Sequence, residues 1–186
     1  MNVTFTHMVD ADISLVFPQL SAAEELFSLI DSDRQRISQF LDLDHTKTWL
    51  DEREFIKTKL IGYAEGTDFL LFMAFNQQLC GCIDIHNIDT KAGKGEIGYW
   101  IHSSFSGRGI VSKSVRAIST IAFNELALNK LKIIVDLENT ASNRVAQSSG
   151  YFLTSVERSD MRLRENLRDM NHYTLLKEDL TKRADD

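Results

Sequence analysis

The sequence predicts a mixed α/β fold, an α+β arrangement in which one mixed sheet is flanked by helices. Three observations lead there. Apolar residues recur with a two-residue period in some stretches and a helical period in others. The resulting order is strand, helices, three strands, helix, strand, helix, two strands. No internal repeat, low-complexity tract or Pro/Gly/Ser-rich linker divides the 186 residues. That length closes one substantial core, so a single domain over residues 1–186 is expected.

Taken in order, residues 13–20 read as a strand, and Pro18 suits a sheet edge because it cannot donate to a ladder. Ser21 followed by Glu24 has the form of a capping box, opening a helix through Leu26, Phe27 and Ile30. A second helical stretch covers residues 33–41. A third begins near Thr46 or Thr48, where Trp49, Phe55, Ile56, Leu60 and Tyr63 return near the helical period. After AEGTD the pattern switches to strands. Residues 69–75 and 79–85, joined by Asn76-Gln77-Gln78, are expected to form an antiparallel hairpin. A Gly/Lys-rich loop, DTKAGKG, precedes a strand over 96–101. The next helix gathers Val111, Val115, Ile118, Ile121, Ala122 and Leu126 on one face. LKIIVDL is a short β-branched strand of the buried type. A helix over 142–149 stops at Gly150, the residue expected at a left-handed end. Strands over 152–163 and 169–176 close the chain around Arg164-Glu165-Asn166.

Composition excludes several classes. Hydrophobic residues at 43% and charged residues at 26% fit a soluble globular protein rather than a disordered one. Acidic side chains outnumber basic ones 27 to 21, a formal charge of −6. That balance disfavours non-specific nucleic-acid binding, which relies on neutralising phosphates. The N-terminus, MNVTFTHMVDAD, lacks the basic segment and apolar core of a signal peptide. The longest apolar run, FLLFMAF, is too short to cross a bilayer. No membrane or nucleic-acid partner is expected, and the cytoplasm is the expected location. Cys80 and Cys82 would share one strand face as buried thiols. With no His/Cys partners nearby, no metal site is expected.

The segment SGRGIVS lies between a strand and a helix. A helix's first turn leaves backbone N–H groups without partners and carries the positive end of the dipole. Glycines before it let the chain turn tightly and bring those donors close to an anion. Gly107 and Gly109 remove bulk, Arg108 adds a cation and Ser112 a hydroxyl, so a phosphate or pyrophosphate fits. By itself the segment reads as a mere glycine turn before it reads as a phosphate site, since it matches neither the P-loop spacing nor G-x-G-x-x-G.

GEIGYWI (residues 95–101), GRGIVSKSV (107–115) and ENTASNRVAQSSGY (138–151), in this order and within this element order, resemble the GNAT superfamily of acetyl-CoA-dependent N-acetyltransferases. Within it the chain is similar to the Rim-type enzymes that acetylate the N-terminal α-amine of ribosomal proteins. The resemblance implies the GNAT acyl-CoA N-acyltransferase fold, with a mixed, mostly antiparallel central sheet. The superfamily's pyrophosphate signature, Q/R-x-x-G-x-G/A, keeps Gly109, with Ser106 at its first position and Val111 at its last. The resemblance implies that the strand at 96–101 splays from the strand at 132–137. The pantetheine arm of acetyl-CoA would then pair with backbone around Trp100, Ile101 and His102. The pyrophosphate would rest on amides of Gly107, Arg108, Gly109, Ile110, Val111 and Ser112. Asn139 and Asn143 would line the other side, serving the coenzyme or the parted backbone.

The implied chemistry is direct attack of an amine on a thioester. An α-amine of pKa ~8 needs a base only transiently, whereas a lysine side chain at ~10.4 poses a steeper deprotonation. Glu96, opening the central strand, is the first candidate base; an exposed strand-end carboxylate or a sheet salt bridge is its competing role. Asp160 is the second. The Rim-type glutamate of the late strand aligns with Met161 here, which leaves a non-catalytic CoA-binding sensor as an alternative. Ser142 stands where Rim-type enzymes carry a serine that protonates the leaving thiolate, and it could equally cap its helix. Tyr151 is the other candidate acid. His102 could shuttle protons, while His86 and His172 show no sequence neighbours that suggest metal. Tyr99 and Trp100 alternate faces, one toward the core and one toward the cleft. The expected acceptor is a protein N-terminus, with a polyamine or other small amine next. A homodimer or higher homo-oligomer is expected from the resemblance.

Overall fold

Eight strands are present among residues 5–182, which the computed structural model describes: β1 (Thr6–Met8), β2 (Ile13–Val16), β3 (Phe69–Phe75), β4 (Gln78–Asp89), β5 (Lys94–Ile101), β6 (Lys130–Asp136), β7 (Phe152–Leu163) and β8 (Asn166–Leu176). They form one sheet in the order β1-β2-β3-β4-β5-β6-β8-β7. Every pairing is antiparallel except β5 with β6. The helices are α1 (Ala23–Ser32), α2 (Arg34–Ile37), α3 (Trp49–Glu65), α4 (Ile110–Asn124), α5 (Thr140–Ser148) and α6 (Lys177–Lys182).

Strand alternation sends successive side chains to opposite faces, and each face has its own helices. On the back face, Ile83, Ile85, Ile97, Leu131, Ile133 and Tyr173 pack with Ile110, Val115 and Ile118 of α4 and Ala146 of α5. On the front face, Leu70, Phe72 and Cys82 pack with Ala23 and Leu26 of α1 and Ile56 of α3. The 3.6-residue spacing of Ile110, Val111, Val115, Ile118 and Ala122 is what lets α4 bury one stripe.

Several local expectations change. β1 is an eighth strand, exposed throughout, and its three residues carry no apolar alternation to announce it. β2 ends at Val16, so Pro18 lies beyond it. The Ser21/Glu24 capping box does not form: residues Leu20–Ala22 make a 3-10 turn, and α1 starts after Ala22 with no side-chain cap. The box forms at α3 instead, where the Thr48 side chain accepts from Asp51 N and the Asp51 carboxylate accepts from Thr48 N. The second helical stretch shortens to α2, and β8 begins at Asn166.

Cys80 and Cys82 do not share a face. Between Met73↔Gly81 and Ala74↔Leu79 the β3–β4 register shifts, leaving Cys80 as the extra residue of a bulge. Cys80 joins the back core and Cys82 the front one, both as free, buried thiols.

α3 buries an unexpected residue. Trp49, Phe55 and Tyr63 remain largely exposed, while Glu52 is 3% exposed, one turn before Ile56. Its Oε1 has no hydrogen-bond partner, and burial pushes its pKa up to about 7. A carboxyl whose folded pKa exceeds its ordinary 4.5 costs stability as pH rises above 4.5, with the cost complete above about 7. Glu52→Gln is therefore expected to be more stable than the parent near pH 8, by on the order of 2–3 kcal/mol, and equal to it near pH 4. Urea denaturation midpoints at the two pH values measure this; a variant no more stable near pH 8 would contradict the burial of an ionised Glu52.

Candidate active site

The parallel pairing of β5 and β6 is short. It runs from Lys94↔Lys130 through Gly95↔Leu131 to Glu96↔Lys132, and then the strands part. Residues of β5 alternate the edge to which they direct peptide groups. Gly93 accepts from Lys130 N at 3.0 Å, and His102 N donates to Cys80 O at 2.9 Å. By that parity Tyr99 and Ile101 turn their N–H and C=O groups into the opening, while Trp100 and His102 turn theirs toward β4. Of the three backbone positions expected to meet a pantetheine arm, only Ile101 faces the gap, and Tyr99 faces it as well.

Asn143 holds the other side of the fork. Its Nδ2 donates to Asp136 O at 3.0 Å and Asn139 O at 2.9 Å, and its Oδ1 accepts from Asn171 Nδ2 at 2.7 Å and Tyr173 OH at 2.9 Å. All four hydrogen-bonding positions of the amide are thus used on the protein. Asn139 caps α5, its Oδ1 accepting from Ser142 N at 3.1 Å. Ser142 is consequently not the cap. Its carbonyl accepts from Tyr99 OH at 3.3 Å, and its hydroxyl makes no hydrogen bond among the described residues. Tyr151 is buried, its hydroxyl against Ser119 Oγ at 2.8 Å, and burial pushes its pKa up.

Residues 102–109 lead from the open end of β5 to α4. Gly107 and Gly109 have φ of 75° and 73°, left-handed values that favour glycine, and a Cβ at either would stand in open space. Gly109 is the N-cap of α4, no side chain caps the helix, and no acidic residue occupies its first turn. The amides of Ile110, Val111 and Ser112 therefore remain for an anion. Three contacts fix this turn against α5: Ser112 Oγ with Ser148 Oγ at 3.0 Å, Ser149 Oγ to Ser112 O at 3.2 Å, and Arg116 Nη1 to Ser148 O at 3.2 Å. Arg108 lies over the Phe75 ring and donates to Ser104 O.

On the front face a charged chain crosses the sheet toward the fork. Asp68 and Asp84 each bind Lys59 Nζ at 2.7 Å, Asp84 lies 3.3 Å from His86 Nδ1, and His86 Nε2 lies 3.2 Å from Glu96. Burial would lower the His86 pKa, but bonds to Asp84 and Glu96 overcome it and raise it to about 9. The His86 bond in turn holds Glu96 below the usual carboxylate range, against its own burial. His86 thus has carboxylate partners that the sequence did not reveal. Gly98 keeps the floor open beside them, since a Cβ there would meet Asp84 Oδ1 at 2.8 Å. Trp100 packs on the α1–α3 side and Tyr99 against the back core. At the mouth, Asp33 accepts from Ser103 N at 2.8 Å, and Arg36 donates to both Asp33 and Ile101 O. His102 is occupied by Ser32 and Ser104.

Asp160, the second candidate base, lies 2.7 Å from His172 Nε2, with Glu157 at 3.8 Å. The three offer one ligand atom each within 4.8 Å of one another. The close Asp160–His172 contact is a hydrogen-bonded pair, with Glu157 as its acidic neighbour.

The family model described as "Acetyltransferase (GNAT) domain" matches residues 12–151. The chain belongs to the GNAT acetyltransferase family. This acetyltransferase is 30% identical, over 93% of its length and 96% of the relative's, to a protein of Bacillus subtilis (strain 168) named provisionally as the ribosomal N-acetyltransferase YdaF. It is 30% identical to the ribosomal-protein-serine acetyltransferase of Escherichia coli (strain K12), over 60% of each chain. Among solved structures it resembles the microcin C7 self-immunity acetyltransferase MccE in complex with acetyl-CoA and AMP, with a TM-score of 0.85, 25% identity, and coverage of 90% of this chain and 94% of the other.

The His86 chain sets a pH limit on the acetyltransferase's stability. A folded pKa of about 9 against an ordinary 6.5 means that the stability from charged His86 is complete below about 6.5 and lost as pH rises through about 9. His86→Gln is expected to lower stability at neutral pH by about 1–2 kcal/mol and to flatten this alkaline fall. Denaturation midpoints from about pH 6 to about pH 10 measure it; an unchanged alkaline fall would contradict the charged imidazole.

Proposed function

We propose that the protein transfers acetyl from acetyl-CoA to the N-terminal α-amine of a ribosomal protein by direct attack, with no acyl-enzyme. The fork carries this reading: Tyr99 and Ile101 direct peptide groups into it, and the uncapped first turn of α4 follows from its open end. These features fit an extended arm ending in a diphosphate. The arm would pair with β5 as an added strand, and amides from Gly107 to Ser112 would hold the diphosphate, joined by Arg108 once it leaves Phe75. The acceptor class is supported by the two named relatives. A cytoplasmic location is part of the same proposal, since acetyl-CoA and a ribosomal protein would meet there.

The direction of attack follows from packing. The back face of the fork is filled by the α4–α5 core, so an amine reaches the thioester from the front face. That face carries Asp84, His86 and Glu96 beside the fork. Glu96, kept charged by His86, is suited to drawing in an ammonium group. Its depressed pKa makes it a weak acceptor of the proton from an amine of pKa ~8. Ser142, released from capping by Asn139, is the proposed donor to the departing thiolate. A small amine or polyamine is the second reading, favoured by the same carboxylates.

Titration calorimetry with acetyl-CoA tests the donor half. Saturable binding is expected, weakened at least about tenfold in Gly109→Val, where the left-handed turn is strained. Thiol release with a peptide beginning in serine, compared with spermidine, tests the acceptor half. Higher kcat/KM on the peptide is expected; preference for spermidine would overturn the ribosomal assignment. Glu96→Gln should raise KM for the preferred amine at least about tenfold with acetyl-CoA affinity unchanged, and an unaltered KM would remove Glu96 from acceptor binding.

A further inference from the structure

The front face holds a second histidine–carboxylate pair on the far side of the fork, and β7 is deformed to make it. Glu157 pairs with Met170 and Met161 with Arg168, so Arg158, Ser159 and Asp160 stand opposite Asp169 alone. Ser159 takes a φ of 52°, uncommon for a residue with a side chain, and its N–H donates to Asp169 Oδ1 at 2.8 Å. This bulge carries Asp160 onto His172. His172 is only 8% exposed in the middle of β8, next to Ile134 of β6, two residues beyond the last β5–β6 pair. Tyr173 and Leu175 point into the back core, so His172 projects on the front face, where the acceptor arrives.

We propose that His172 is the general base of the acetyl transfer and that Asp160 positions it. The inference rests on the acetyltransferase reading above and adds the residue that takes the proton. Donation from Nε2–H to Asp160 fixes one tautomer and leaves Nδ1, which has no partner among the described residues, as the basic nitrogen. An imidazole oriented by a carboxylate is the arrangement that makes histidine an effective base. The proton leaves the amine nitrogen for Nδ1, directly or through one water. The C–N bond forms, the C–S bond breaks, and CoA departs as a thiolate that the Ser142 hydroxyl meets with its proton. Solvent then restores Ser142 and takes the proton from His172. Asp160 and Glu157 of β7 face the imidazole. The other charged residues on the same sheet face are Lys132 and Asp136 of β6, Arg168 of β8 and Glu96 across the fork, with Asp169 holding the bulge. Arg168 is paired with Asp136 and Glu138, and Asp160 at 2.7 Å is the nearest anion to Nε2, with Glu157 next at 3.8 Å.

His172→Gln and Asp160→Asn would be compared with the parent protein using saturating acetyl-CoA and the serine peptide or spermidine, whichever reacts faster. His172→Gln should lower kcat about 100-fold or more, with calorimetric acetyl-CoA affinity within about twofold. Its remaining activity should lose the limb in the pH profile that reports the imidazole. Asp160→Asn should lower kcat at least about tenfold and displace that limb. Nitrogen-15 spectra of the parent should show His172 in the Nε2–H tautomer, disturbed in Asp160→Asn, independently of any acceptor. His172→Gln within about threefold of the parent, an unmoved limb in Asp160→Asn, or the Nδ1–H tautomer would overturn the assignment. So would loss of parent activity on chelation, which would turn the cluster into a cation site. Absence of acetyl-CoA binding to the folded parent would instead remove the reading beneath it.

Discussion

Two parallel strands that share hydrogen bonds for three residue pairs and then separate leave peptide groups without partners, and a protein interior tolerates few of these. Asn143 meets that constraint. Its amide takes the Asp136 carbonyl that parallel pairing would have used, and Tyr173 and Asn171 orient it from β8. With one lip of the fork satisfied internally, the unused hydrogen-bonding capacity lies on the β5 lip, at Tyr99 and Ile101. Arg36 closes part of that lip by donating to Ile101 O, so α2 and the fork are mechanically linked.

The two faces of the sheet then divide the work. The back face is a closed apolar core that fixes α4 and α5, and with them the glycine turn and Ser142. The front face carries buried charge on both sides of the fork. The Lys59–Asp84–His86–Glu96 chain compensates its own burial by pairing, and the resulting pKa shifts keep Glu96 anionic. The Asp160–His172 pair, held by a bulge and a strained serine, sits across from it. In the proposed reaction the anion on one side of the fork attracts the amine, and the imidazole on the other accepts its proton.

Local chemistry was legible in the sequence and long-range pairing was not. The glycine turn, the apolar stripe of α4, the strand hairpin with Asn76 and Gln77 in its turn, and the length of β7 follow from periodicity and turn residues within one segment. Family motifs located the fork. Three details were decided by one or two residues of register: Asn139 rather than Ser142 as the cap, Tyr99 rather than Trp100 facing the gap, and the bulge that separates Cys80 from Cys82. The partners of His86 and His172 come from neighbouring strands, and no spacing along the chain encodes them. Glu52 was hidden because a carboxylate between two charged neighbours in a helix reads as surface; only the packing of α3 on Cys82 and Phe72 turns it inward.

Backbone amide spectra recorded with and without acetyl-CoA address the fork most directly. The account predicts shifts and slowed hydrogen exchange at Tyr99 and Ile101 and at Ile110, Val111 and Ser112, with Trp100 and the β3–β4 hairpin little changed. Saturable binding that leaves those five amides untouched would place the coenzyme elsewhere and contradict the account.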